Sequence, residues 1–154
     1  MGDLQIETKK SLLTMNTMAL ASTAEYFCSV STVDEVQKAL SFARKHNLAV
    51  TPLGAGSNVV LASNLSGLVV HLGLKGWESV VSQGVSTEYV DVTFAAGENW
   101  HDMVLMCLDR GWYGLENLSL IPGNMGAAAI QNIGAYGVEL SSRLVSLQVV
   151  DIHS

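Results

Sequence analysis

The run Pro52-Leu53-Gly54-Ala55-Gly56-Ser57-Asn58 has the residue types of an anion cradle. Two glycines flank a small residue, so the backbone turns sharply and no Cβ shields its N–H groups. A concave row of amides binds anions, and a phosphate or pyrophosphate is the usual guest. The residues after the loop narrow the kind of site. A dinucleotide fingerprint needs G-x-G-x-x-G opening a helix, but Val59 fills the third glycine position and Val59-Val60-Leu61 reads as extended chain. No Gly-Lys-Ser/Thr follows, so a Walker loop is excluded too. The cradle belongs to another architecture.

A second small-residue stretch runs from Leu115 to Gly137 and contains Ile121-Pro122-Gly123-Asn124-Met125-Gly126-Ala127-Ala128-Ala129 and Gln131-Asn132-Ile133-Gly134-Ala135-Tyr136-Gly137. Glycine and alanine in series let backbone approach backbone, or backbone approach a flat ligand. The stretch alone also admits a plainer reading as tightly packed turns with no ligand. Two such loops together favour a ligand clamp.

These blocks resemble the flavin-binding portion of the UDP-N-acetylenolpyruvoylglucosamine reductases (UDP-N-acetylmuramate dehydrogenases), the N-terminal part of that family. The resemblance is carried by Asn16-Thr17, Gly54-Ala55-Gly56-Ser57-Asn58, Ala96-Gly97-Glu98-Asn99-Trp100-His101, Gly114-Leu115-Glu116-Asn117-Leu118, and above all Ile121-Pro122-Gly123 through Gln131 to Glu139. It spans roughly Asn16 to the C-terminus. Ala129 departs from the proline, and Asn124 from the Ser or Cys, more usual in the family.

The resemblance implies an FAD domain of the vanillyl-alcohol-oxidase type, two small α/β subdomains with the flavin between them. It divides the chain into an arm, 1–15, and an FAD-binding domain, 16–154. By the same implication Gly54, Ala55, Gly56, Ser57 and Asn58 give amides to the pyrophosphate. Pro122, Gly123, Asn124, Gly126 and Ala127, with Gly134 and Tyr136 nearby, approach the flavin. The family reduces UDP-N-acetylglucosamine enolpyruvate to UDP-N-acetylmuramate in peptidoglycan synthesis, hence in cell-wall biogenesis, cell shape and cell division. NADPH is the hydride donor and FAD the carrier. The family's arginine after a tyrosine, its proton-donating serine and its glutamate have no counterpart before Ser154, so no catalytic residue is expected here. The chain alone is expected to be inactive, with the substrate-binding C-terminal half absent. Two alternatives stay open: a non-catalytic FAD-binding or interaction module, and a flavin oxidoreductase of the same fold with another substrate.

Composition sets wider bounds. A chain of 154 residues is in the single-domain range and buries about 68–70% of its unfolded surface. Charged residues make up only 14% against 49% hydrophobic, where about 25% charged is ordinary. Exposed apolar surface is the consequence, to be covered by flavin, by a further domain or by self-association. The net charge of −6 argues against nucleic acid, which calls for a basic stripe. Cys28 and Cys107 are far apart without a CxxC, as for free thiols in a reducing compartment. No apolar run approaches the roughly eighteen residues of a membrane span. A soluble, cytoplasmic protein is expected, and no metal site, because the four histidines lack ligand spacing.

The positioning elements follow from periodicity. Met1 to Leu13 shows no strong pattern and is expected to be loosely docked. Tyr26–Val30 predicts a strand. Thr32 and Glu35 form a capping box before a helix running to about Asn47, and residues 49–53 predict the strand that delivers the first glycine loop. Strands are expected at 67–72, 79–81 and 89–95, with a hairpin loop over Gln83-Gly84 and Ser86-Thr87. An amphipathic helix over 99–109 carries Trp100, Val104, Cys107 and Leu108 on one face, closed by Gly111. Leu144–Ile152 alternates like a final strand. The fold class is α/β to α+β.

Several reactive-looking residues have plainer readings. Ser57 lacks the G-x-S-x-G context of a hydrolase nucleophile, so a phosphate contact or loop cap fits better. Asn58 suits a turn or a ligand contact. His101, in the first turn of a helix, is expected to be structural, and Glu116 a hydrogen-bonded turn carboxylate. Tyr136 either packs on the isoalloxazine, borders the substrate or anchors the loop by burial.

Overall fold

The computed structural model describes residues 4–83 and 88–152, and the chain divides into two compact units, Met1–Leu74 and Lys75–Ser154. The hairpin loop expected around Gly84 to Thr87 lies outside the described residues, as does His153.

The first unit is a four-stranded sheet with one helix. Its strands are β1 (Glu7–Ser11), β2 (Thr23–Val30), β3 (Val50–Leu53) and β4 (Leu65–Leu72), in the order β1-β2-β4-β3. Strand β1 runs antiparallel to β2, while β2 and β3 both run parallel to β4. Strand β4 is therefore inserted between β2 and β3, the strands expected at Tyr26–Val30 and 49–53 on either side of the first helix. Leu68, Val69 and Val70 are consecutive and all buried, the mark of a strand covered on both faces. Val69 packs with Leu12, Ala24, Phe27, Leu53 and Leu61. Leu68 and Val70 pack with Cys28, Val30 and the helix residues Ala39 and Ala43. Burial pushes the Cys28 thiol up to about 11, so it remains protonated and behaves as a small hydrophobe.

Helix α1 (Val33–Lys45) starts where the capping residues require. Thr32 Oγ1 accepts the Glu35 N–H at 3.2 Å. The Glu35 carboxylate reaches one residue further back than a capping box predicts, accepting the Ser31 N–H at 2.7 Å and hydroxyl at 2.8 Å. Those bonds hold its pKa below the usual carboxylate value. Ala39, Leu40 and Ala43 form the buried face, and two alanines let the helix sit close to the sheet.

The arm expected over residues 1–15 is instead part of the sheet from Glu7 onward, and Leu12 is fully buried. An edge strand made of Glu-Thr-Lys-Lys-Ser has little apolar alternation to read, because charged edges are how sheets avoid pairing with other chains. After β1 the chain folds back on itself around Asn16, only 6% exposed. Its amide donates to Leu12 O at 2.8 Å and Leu20 O at 3.1 Å, and its Oδ1 accepts the Leu20 N–H at 2.9 Å.

The second unit opens with an antiparallel pair, β5 (Trp77–Gln83) and β6 (Glu88–Phe94). Helix α2 (Trp100–Asp109) follows, capped by Asn99 accepting the Asp102 N–H. A 3-10 turn at Glu116–Leu118, helix α3 (Met125–Gln131) and the two-residue strands β7 (Gly134–Ala135) and β8 (Val138–Glu139) complete it. The core is Trp100, Val104, Leu118, Ala128, Ile133 and Leu140. Two expectations fail here. The Gly/Ala segment holds a helix, since alanine is the strongest helix former. The strand expected over Leu144–Ile152 is not formed: residues 144–152 carry no regular element and are exposed. Alternation supplies a face, but a strand also needs a paired edge.

Replacing Asn16 by Ala removes three hydrogen bonds that a buried amide makes to its own loop. We expect a loss of about 1–3 kcal/mol, read as a lower urea midpoint with an unchanged slope.

Candidate flavin site

Strand β3 carries the chain directly into the first glycine loop, residues 54–58. Ala55 and Asn58 are exposed, Gly54 and Ser57 half-buried, and Gly56 buried. Gly56 has φ +67°, and a Cβ there would lie 2.1 Å from the Met15 carbonyl oxygen and 2.8 Å from the Asn16 Cα. The Gly56 carbonyl accepts the Thr17 N–H at 3.1 Å. What demands glycine at position 56 is thus the protein's own backbone, with the Asn16 loop seated against it. Asn16-Thr17 and the glycine loop, which sequence reading treats as separate motifs, form one substructure. Residues 59–62 beyond the loop have no regular element, and Leu61 anchors them in the core.

The second loop is shaped by the segment just before α2. Asn99 and Asn124 form an antiparallel bridge. Around it, Trp100 N–H donates to Gly123 O at 3.0 Å, Met125 N–H to Glu98 O at 2.9 Å, and Gly126 N–H to Ala96 O at 3.0 Å. A Cβ on Gly126 would stand 2.8 Å from Ala96 Cβ, so this glycine also answers to a protein neighbour. The first turn of α2 adds side-chain holds. Trp100 Nε1–H donates to Leu118 O at 2.7 Å, and His101 Nδ1 takes the Leu120 N–H at 3.2 Å beside the Ser119 hydroxyl at 3.0 Å. Glu98, whose carbonyl holds Met125, also accepts the Gly76 N–H at 2.7 Å and the Lys75 ammonium at 3.2 Å. The Gly76 bond chiefly holds its carboxyl below the usual range. Glu116 is the expected turn carboxylate and accepts the Gly114 N–H.

Residues pinned in this way surround a hollow too tight to admit a water molecule, lined by Trp100, Pro122, Gly123, Asn124, Ala127, Ala128, Gln131 and Ile133. Asn124, Ala127, Ala128 and Gln131 fall at i, i+3, i+4 and i+7, one face of α3 and its cap. That spacing was the available signal for Ala128 and Gln131, which sequence reading did not single out, and it was hidden by taking the segment as turns. Trp100 and Ile133 complete the lining from the core side. The Asn124 side chain makes no bond to cap α3.

The structure does not bring Gly134 and Tyr136 into this hollow. Gly134 sits against Val138 O and the Glu139 side chain in the β7–β8 hairpin. Tyr136 and Gly137 are the two central residues of its turn, at φ +51° and +78°, as a type I′ turn demands. Tyr136 is 89% exposed, which overturns its reading as a buried anchor. Cys28 and Cys107 are free thiols in the core. Among the described residues, no group of three His, Cys, Asp or Glu is placed to hold a metal, and no helix is long and apolar enough to cross a membrane.

A model of the family described as "FAD binding domain" matches residues 24–153, which include both glycine loops. The chain belongs to the FAD binding domain family. Curated relatives agree with that membership. The UDP-N-acetylenolpyruvoylglucosamine reductase of Amoebophilus asiaticus is 38% identical over 149 residues, covering 97% of this chain and 43% of that protein. The enzyme of the same name from Bordetella pertussis is 45% identical over 143 residues, 93% of this chain and 40% of that protein. The chain thus spans about two fifths of the length of these curated relatives. Among solved structures, UDP-N-acetylenolpyruvylglucosamine reductase (MurB) from Thermus caldophilus superimposes with a TM-score of 0.63 at 23% identity, over 90% of this chain and 46% of that one. That likeness is one of fold, and it bears out the mixed α/β class.

The geometry at Gly56 changes what its substitution tests. A side chain there strikes the Met15–Asn16 backbone before it meets any ligand, so folding and flavin retention fall together. Gly56→Ala should destabilise the chain by more than the roughly 1–2 kcal/mol that a left-handed residue costs on its own. Gly137→Ala, also at positive φ but with open space around its Cβ position, should cost only about that amount. Urea denaturation of the two variants measures the difference.

Proposed function

We propose that this chain is the FAD-holding part of a UDP-N-acetylenolpyruvoylglucosamine reductase. The observation that carries the proposal is the identity of 38–45% to reductases of that name across nearly the whole chain, both glycine loops included. The residues fit a flavin on a structural ground as well. Gly123, Ala127 and Ala128 in the lining carry little or no side chain, as close approach of a flat ring to backbone requires. Asn124 and Gln131 supply polar groups at its margin.

In this reading Gly54 to Asn58 present amides to the pyrophosphate, with Gly56 fixing the turn and Ser57 and Asn58 at its outer side. Pro122, Gly123, Asn124, Gly126 and Ala127 hold the flavin edge. Gly134 and Tyr136, outside the hollow, border the bound molecule, with Tyr136 offering an exposed ring and hydroxyl. The flavin-binding domain then takes in, besides residues 16–154, strand β1 (Glu7–Ser11) as the edge of its sheet. Bound FAD would supply the hydride chemistry between NADPH and the enolpyruvyl double bond. The chain's own residues would bind and orient; none of the side chains lining the hollow is ionisable. The reaction belongs to peptidoglycan-precursor synthesis in the cytoplasm, with the sugar nucleotide as substrate of the whole enzyme. Self-association through exposed apolar residues such as Val145 and Val149 is the accompanying expectation for the chain by itself.

FAD at about one hundred times its dissociation constant should stabilise the fold by about 2.7 kcal/mol. A thermal melt unmoved by FAD would sink the reading. With flavin-loaded chain and the enolpyruvyl sugar nucleotide, NADPH oxidation should stay far below the ordinary enzymatic range of roughly 1–10³ per second. Turnover within that range would place catalytic residues in this chain after all.

A further inference from the structure

The Leu118–Gly123 stretch that leads into the hollow is held by the first two residues of α2 at three points. Two of them cannot titrate: the Trp100 N–H on Gly123 O, and the Trp100 indole N–H on Leu118 O. The third is the His101 ring, whose Nδ1 faces both the Leu120 N–H and the Ser119 hydroxyl. A backbone N–H only donates, so Nδ1 must carry a lone pair and the ring proton must sit on Nε2. The residue that makes this contact, Leu120, has a left-handed backbone. It has φ +63° and its side chain is 77% exposed, so neither burial nor a glycine's freedom accounts for the left-handed backbone.

We propose that His101 is a positioning residue of the flavin loop, holding Leu120 left-handed only while its ring is neutral. The two contacts on Nδ1 respond differently to a proton. The Ser119 hydroxyl can rotate and accept from Nδ1–H, which keeps the ring in place. The Leu120 N–H has no such alternative and loses its acceptor. Protonation therefore frees Leu120 to leave the left-handed region, and Ile121, Pro122 and Gly123 follow it at the rim of the hollow. Carboxylates on the surrounding elements are engaged elsewhere. Glu98 is bound to Gly76 and Lys75, Glu116 to Gly114, and Glu139 to Asn132 and Ser141. Helix α3 carries no ionisable side chain, the Arg143 guanidinium lies beside Gly114, and on α2 itself Asp102 is exposed. Protonating the ring therefore weakens the hold.

The inference rests on the second loop being a flavin loop, and two readouts separate the claims. In the ¹⁵N-labelled full chain without flavin, the Leu120 amide resonance should titrate with the His101 ring. In His101→Asn, whose Oδ1 replaces Nδ1 as acceptor but cannot be protonated, the Leu120 amide should stay fixed. The FAD dissociation constant should rise about two- to tenfold between pH 7.5 and 5.5 in the wild type, the worth of one hydrogen bond. That rise should be absent in His101→Asn and already present at pH 7.5 in His101→Leu. A Leu120 amide indifferent to the ring overturns the hold itself. Identical FAD profiles in wild type and His101→Asn overturn its role at the flavin loop. A chain that takes up no FAD at pH 7.5 overturns the flavin reading, while the Leu120 titration still decides the hold.

Discussion

Backbone in contact with backbone at two glycines is the constraint on which both loops depend. At Gly56 the Met15 carbonyl occupies the space a side chain would need, and at Gly126 the Ala96 residue does. Close packing leaves no slack to absorb an added methyl group at such distances. Each glycine therefore fixes the path of a neighbouring segment: the Asn16 loop in the first unit, and residues 96–101 in the second. Those segments then set the loops. Asn16 closes its own turn, Thr17 ties it to Gly56, and residues 96–100 run as a template along residues 123–126.

The two units solve their shortage of charge differently. In the first, apolar residues on both faces of β2 and β4 are taken up by two core clusters, one of them beneath α1. The second unit has a single cluster, and many large apolar residues stay outside it. Leu120, Ile130, Tyr136, Val145 and Val149 are each more than three-quarters exposed. The low charged fraction is thus concentrated in its effect: one unit is a closed core, and the other is a scaffold with open apolar ground.

Much of this was legible in local sequence because local physics decides it. Thr32 and Glu35 fix the start of α1, and the spacing of Trp100, Val104 and Cys107 fixes the buried face of α2. Short-range signals failed where the deciding partner is distant. Nothing within Glu-Thr-Lys-Lys-Ser announces that β2 will pair with it. The alternation over 144–152 promises a strand without supplying an edge. Gly56 looks like a ligand glycine in one dimension, because its real neighbour lies some forty residues upstream. The Asn124, Ala127, Ala128, Gln131 face was present in the sequence at helical spacing, but small residues gave it too little hydrophobic contrast to stand out.

Loops built in this way enter binding already ordered. A flexible loop loses conformational entropy when a ligand fixes it, and that loss is subtracted from affinity. Here the loss is incurred on folding, with hydrogen bonds from Thr17, Trp100, His101, Met125 and Gly126 as the compensation. Such a site keeps its shape only as long as every hold persists, and the holds differ in kind. Peptide groups and the Trp100 indole keep their donors at any physiological pH, while an imidazole keeps its acceptor only when neutral. The stretch from Ser119 to Gly123 accordingly has one end fixed permanently, at Gly123, and one middle support that depends on a proton. Among the contacts that define the second loop, the one whose acceptor can be lost to a proton is thus the one made to Leu120, a left-handed residue.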